Sequence, residues 1–156
     1  MVHFSAKTLE DQLERVRALE SRLTFRLSIL SKFLDQQAQA MLEGSGVNLT
    51  GYRILNVINT LGGTSISDIS RFCAMDRAQV SRSATELERQ GLVTFKEDAV
   101  SKRKKLVEIS SAGNALLETI KPAFLERNEK LDELLGPERK AALTEAINLM
   151  TEHVTR

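Results

Sequence analysis

The stretch from Asp76 to Gly91, followed at once by a strand, a basic turn and a second strand, constrains this chain more than any other part of it. Asp76 is placed to cap a helix, because its carboxylate accepts N–H groups that the first turn leaves without partners. Gln79, three residues on, is placed to reach back and close a capping box. Gly91 supplies a left-handed stop. Between these ends Val80, Ala84 and Leu87 fall at i, i+4 and i+7 on one apolar stripe. Arg77, Gln79, Ser81, Arg82, Thr85 and Arg89 are left to the remaining faces. A helix with one buried stripe and arginine and glutamine around the rest suits insertion into a DNA groove. Arg binds guanine bidentately and Gln binds adenine. The plainer alternative is that these polar residues only keep a surface helix soluble.

The net charge of +1 over 156 residues hides an uneven distribution. From Arg71 to Lys105 nine Lys and Arg face five Asp and Glu, whereas beyond Lys105 nine acidic residues face six basic ones. A basic centre in a neutral-to-acidic frame suits a module that binds a polyanion. With 42% hydrophobic residues the chain can bury a core of ordinary size. No basic stretch leading into an apolar run opens it, and no 18-residue apolar run occurs. A soluble, cytoplasmic protein with no membrane partner is therefore expected. A lone cysteine, Cys73, excludes an internal disulfide, and His3 and His153 are too far apart in sequence to suggest a zinc cluster, so no metal or other cofactor is expected. An enzyme is not expected either. No nucleophile, base and orienting partner converge, and no glycine loop is present to cradle a phosphate.

Residues 8–43 contain no Gly or Pro, and Leu9, Leu13, Val16, Leu23, Leu27, Leu30, Leu34 and Met41 keep a helical spacing. One long helix, or two nearly collinear ones, should result. Gly44-Ser45-Gly46 ends it, Thr50 should cap a second helix, and Gly62-Gly63 should stop that one. A short extended piece at 64–66 precedes a brief helix over 68–74 capped by Ser67, and a tight connection leads to Asp76. Residues 92–97 and 103–109 read as a two-stranded hairpin with a cationic loop. Ser110 or Ser111 should cap a helix running to about Leu135, kinked or locally opened at Pro122. Gly136-Pro137 restarts a last helix with an apolar face of Leu143, Ile147 and Met150.

This order of elements resembles the MarR family of winged helix-turn-helix transcription factors, over nearly the whole chain. The resemblance rests on Leu49-Thr50 with Tyr52 and Leu55, and on Asp68-Ile69. It continues through Asp76-Arg77, Val80-Ser81-Arg82, Leu87-Glu88 and Gly91-Leu92-Val93 to Val107, Ile109 and Ser111-Ala112-Gly113. It implies a mainly α fold with a small β-hairpin wing, divided into a dimerising N-terminal helix (1–48), a winged helix-turn-helix domain (49–110) and dimerising C-terminal helices (111–156). The chain departs from its relatives at Ser101, where an aspartate usually pairs with the wing arginines. It departs again at Ser83, where a bulky apolar residue is common and whose small size should loosen the helix against the wing.

The expected function is a homodimeric, sequence-specific DNA-binding repressor acting on a near-palindromic operator and released by a small aromatic or anionic effector. Arg77, Gln79, Ser81, Arg82 and Thr85 are the candidate groove contacts, and Lys102, Arg103 and Lys104 the candidate wing contacts, with Arg103 suited to a narrow minor groove. The resemblance also implies a ligand cleft near Tyr52, although Tyr52 reads equally well as a core residue. Arg22 and Arg26, one turn apart, can hold an anionic ligand or pair with a carboxylate of another helix. Cys73, with Ile69 at i−4, reads as a small core residue. The alternative function is a ligand-independent architectural or protein-interaction module.

Overall fold

The computed structural model describes residues 6–98 and 105–156, and these described residues form six helices and three short strands. It divides into two compact units, Met1–Ala40 and Met41–Arg156.

The first unit carries α1 (Ala6–Glu20) and most of α2 (Leu23–Met41). Of the two alternatives for residues 8–43, two helices is the outcome. Ser21 makes the break: its hydroxyl donates to the Ala18 carbonyl at 2.9 Å, and Arg22 N–H turns back to the Leu19 carbonyl at 3.1 Å. A serine that bonds its own preceding turn competes with the helical ladder. Leu9, Leu13, Val16 and Leu23 are all exposed.

The second unit is built around α3 (Leu49–Leu61), which buries Ile54, Leu55, Val57 and Ile58. Its cap is Asn48 rather than Thr50: Asn48 Oδ1 accepts the Gly51 N–H at 2.9 Å. Asn is the better cap, and Thr50 is left inside the first turn. After Gly62, with φ of 79°, the chain enters β1 (Thr64–Ser65), which pairs antiparallel with β3. The short extended piece thus adds a third strand to the expected hairpin, in the order β1-β3-β2. The next cap is Ser65, not Ser67, so α4 spans Ile66–Cys73. Ser65 Oγ accepts the Asp68 N–H and donates to Asp68 Oδ2 at 2.6 Å, a reciprocal arrangement that a cap at Ser67 would forgo.

A left-handed Ala74 turns the chain into α5 (Arg77–Arg89), whose cap is Asp76 as expected. Val80, Ala84 and Leu87 are buried, and α5 lies against α3, α4 and β2. Its end is a Schellman closure: Leu92 N–H donates to the Leu87 carbonyl and Gly91 N–H to that of Glu88, with Gly91 at φ 73°. Strands β2 (Val93–Glu97) and β3 (Lys105–Ile109) then pair from Val93↔Ile109 to Glu97↔Lys105.

Ser110 caps α6 (Ser111–Thr155) and ties its start to the end of α5. Its hydroxyl accepts from Gly113 N–H and donates to the Gly91 carbonyl, while its own N–H donates to the Leu92 carbonyl. Leu117, Ile120 and Phe124 bring α6 into the core, and the helix contacts α3. Pro122 does not break the helix. Its backbone stays helical, and the one interruption is at Gly136, with φ 68° and ψ 166°. Proline's φ already suits a helix, so its effect is confined to the missing N–H and local crowding, whereas Gly136 adopts a conformation outside the helical range.

Candidate nucleic-acid interface

The Asp76 cap, the buried stripe and the Gly91 stop seat α5 on the second unit with its opposite face turned outward. Arg77, Gln79, Ser81, Arg82 and Thr85 are all exposed on it. They are not equally available. Arg77 and Arg82 have no hydrogen-bond or ion-pair partner among the described residues. Thr85 donates its hydroxyl to the Ser81 carbonyl at 3.1 Å. Gln79 does not close the expected capping box, because its side chain reaches α3, where Nε2 donates to Thr50 Oγ1 at 3.0 Å. Only the backbone N–H of Gln79 serves the cap, at 2.9 Å from Asp76 Oδ1.

Other cations nearby are engaged. Arg71 pairs with Asp68 at 3.3 Å. Arg89 forms a two-pronged pair with Glu86, through Nε at 2.8 Å and a terminal nitrogen at 2.6 Å. Gln90 Nε2 adds a third bond to the same carboxylate at 2.7 Å. These bonds hold the Glu86 carboxyl down to about 2, those from Arg89 contributing most. On the sheet Lys96 pairs diagonally with Glu108, whose side chain lies over Gly63; a Cβ there would come within 3.1 Å of Glu108 Cγ. Lys105 is exposed at the start of β3. The candidate wing contacts Lys102, Arg103 and Lys104, together with Ser101, lie outside the described residues.

A half-open cleft of about 190 Å³, not anticipated from the sequence, separates α5 from the start of α3; Asn48, Gly51, Arg82, Ser83, Glu86 and Gln90 are among its lining residues. Ser83 is half-buried there. The looseness expected from its small side chain therefore faces α3 rather than the wing. The position falls on the flank of α5 turned toward Gly46–Gly51, a placement that only the docking of the two helices reveals.

Tyr52 is half-buried and stacks on Phe124 with ring centroids 4.2 Å apart. The Arg127 guanidinium carbon lies 4.9 Å from the Phe124 centroid, and the buried Arg127 Nε has no hydrogen-bond partner among the described residues. Arg22 lies in the break between α1 and α2, and Arg26 is on α2, where it lines a groove with Phe25, Ile29 and Phe33. Both belong to the first unit and Tyr52 to the second. Cys73 is half-buried, and burial pushes its thiol above the ordinary range, opposed more weakly by Arg53. Such a thiol is a poor thiolate. Among the described residues no His, Cys, Asp and Glu side chains gather in a metal-binding group, and no helix is long and apolar enough to cross a membrane.

A capped helix presented by a tight helix-turn-helix and flanked by a three-stranded sheet defines a winged helix-turn-helix domain. Residues 45–104 match the model of the MarR family. The chain is 31% identical over 100 residues to an HTH-type transcriptional regulator Hpr of Exiguobacterium sibiricum, covering 64% of this chain and 53% of that protein. It thus spans about half the length of the curated relatives it matches. Its fold is similar to that of MepR of S. aureus in a DNA complex, with a TM-score of 0.79 at 20% identity, covering 86% of this chain and 98% of that one. It is also similar to BpsR of Bordetella bronchiseptica, with a TM-score of 0.76 at 20% identity, covering 85% and 94%. The similarity to the MarR family thus lies in the winged-helix segment, residues 45–104.

Proposed function

We propose that this protein is a sequence-specific DNA-binding transcriptional regulator, a repressor acting as a homodimer in the cytoplasm, and that it carries out no catalysis. The observation that carries the reading is a pair of exposed arginines, Arg77 and Arg82, without partners among the described residues, on a helix whose opposite stripe is fully buried. Elsewhere on the same domain Arg71, Arg89 and Lys96 are engaged by carboxylates. Arg82 is the principal base or phosphate contact, Arg77 and Gln79 flank it, and Ser81 and Thr85 add weaker contacts. Lys102, Arg103 and Lys104 supply the wing. Residues 1–48 and 111–156 serve dimerisation around a DNA-binding domain at 49–110, which accounts for the exposed apolar residues on α1 and α6.

The MepR structure is of a DNA complex, and the BpsR structure concerns regulation of DNA binding by 6-hydroxynicotinic acid. Both lend support to DNA as the partner and to a small effector that releases it. An aromatic or anionic effector suits Tyr52 beside Phe124 and Arg127. Arg22 and Arg26, on the other unit, are separate candidates for holding an anionic ligand.

Gel-shift titration of wild type and Arg82→Ala against promoter fragments, including the region flanking the protein's own gene, tests this reading. Wild type should prefer one fragment. Arg82→Ala should bind that fragment about tenfold or more weakly, in keeping with roughly 1–3 kcal/mol for a base contact. Equal affinity for all fragments and little loss in Arg82→Ala would leave only an architectural module.

A further inference from the structure

Among the described residues Arg82 has no partner, although Glu86 stands one turn along the same helix and lines the same cleft. An arginine four residues before a glutamate has a ready ion-pair partner, in the less favourable of the two orientations. Glu86 instead turns the other way. Arg89 grips its carboxylate with two nitrogens at 2.8 and 2.6 Å, and Gln90 adds a third bond at 2.7 Å. A fork on both oxygens fixes direction in a way that a single contact does not. Both residues that hold Glu86 lie C-terminal to it, in the favoured orientation, and draw it toward the Gly91 end of the helix.

We infer that Arg89, assisted by Gln90, is a positioning residue for DNA recognition: by holding Glu86 it keeps the Arg82 guanidinium free for DNA. The inference rests on the DNA-binding reading above. Without Arg89 the Glu86 carboxylate would both pair with Arg82 and present a negative charge to the phosphates. Arg89 then matters for affinity without itself touching DNA, and its effect requires Glu86.

A double-mutant cycle on the dissociation constant for the preferred fragment tests this, using full-length wild type, Arg89→Met, Glu86→Gln and the double variant at one salt concentration. Arg89→Met should bind about fivefold more weakly, a loss smaller than that of Arg82→Ala. In the Glu86→Gln background the same substitution should change affinity by no more than about twofold. Equal losses in both backgrounds would mean that Arg89 contacts DNA directly, and would overturn the inference. So would a tightening of about fivefold or more in Glu86→Gln alone, since Glu86 would then already oppose Arg82 in the wild type. Helical content and Tm of each variant identify any loss due to unfolding; for such a variant Gln90→Ala and its double with Glu86→Gln replace the Arg89 arm, with the same non-additivity expected. Absence of any fragment preference in the wild type would count against the DNA-binding reading itself, whereas a preference with an additive cycle counts only against this inference.

Discussion

A Cβ on Gly113 would stand 2.2 Å from the Leu92 carbonyl oxygen and 2.8 Å from Ile109 Cγ1, so α6 can start where it does only with a glycine in its first turn. Gly91 is needed for a different reason: its φ is 73° and nothing lies within 4 Å of a Cβ there. Gly113→Ala should therefore force the sheet and α6 apart and cost roughly 1–3 kcal/mol. Gly91→Ala should cost about 1 kcal/mol through backbone conformation alone. Thermal unfolding should rank them in that order, with Gly91→Asn milder than Gly91→Ala. Glu86 gives a pH signature at the same scale. Its carboxyl is held at about 2, below the ordinary 4.5, so its contribution to stability is present above pH 4.5 and is lost as pH falls toward 2. The difference in Tm between wild type and Glu86→Gln should accordingly shrink across that window. A difference that stays constant down to pH 2 would show that the pair does not form.

Helix α5 depends on the elements at its two ends. Asp76 supplies its cap, and the Schellman closure at Gly91 hands the chain directly to β2 and, through Ser110, to α6. Asp76→Ala should cost about 1 kcal/mol. Hydrogen exchange should report faster opening of the first turn of α5, where Arg77 sits. DNA affinity should fall as well, since a frayed first turn no longer fixes the arginines. Faster exchange spread evenly over the second unit, with none localised to that turn, would count against this.

For the molecule as a whole, α1 exposes Leu9, Leu13 and Val16, and the last part of α6 exposes Leu143, Ile147, Leu149 and Val154. Apolar rows this long on terminal helices call for a partner, and two copies related by a two-fold axis would supply it. Ile147→Glu should shift the protein toward monomer in sedimentation velocity at micromolar concentration. On the proposed dimeric reading it should also reduce affinity for the preferred fragment far more than it reduces binding to unrelated DNA, because two recognition helices would no longer span adjacent major grooves about 34 Å apart. Wild-type affinity should fall steeply with salt, roughly linearly on logarithmic axes.

The buried stripe of α5, its cap and stop, the paired strands and the break at Gly136 all followed from the residues, because each depends on local chemistry: a carboxylate beside free N–H groups, a glycine at positive φ, side-chain periodicity. Cap choice between near neighbours did not. Asn48 displaced Thr50 and Ser65 displaced Ser67, since two competent caps within two residues of each other are separated only by small differences in cap strength and by which partners each can reach. Pairing of β1 with β3, the reach of Gln79 to Thr50, the cleft at Ser83 and the clash that reserves position 113 for glycine are contacts between segments distant in sequence. The candidate site divides the same way. That Arg77 and Arg82 lie away from the apolar stripe is a matter of helical period and was legible. That Arg82 has no partner among the described residues while Arg89 is occupied depends on which way one glutamate turns, and only the folded structure decided it.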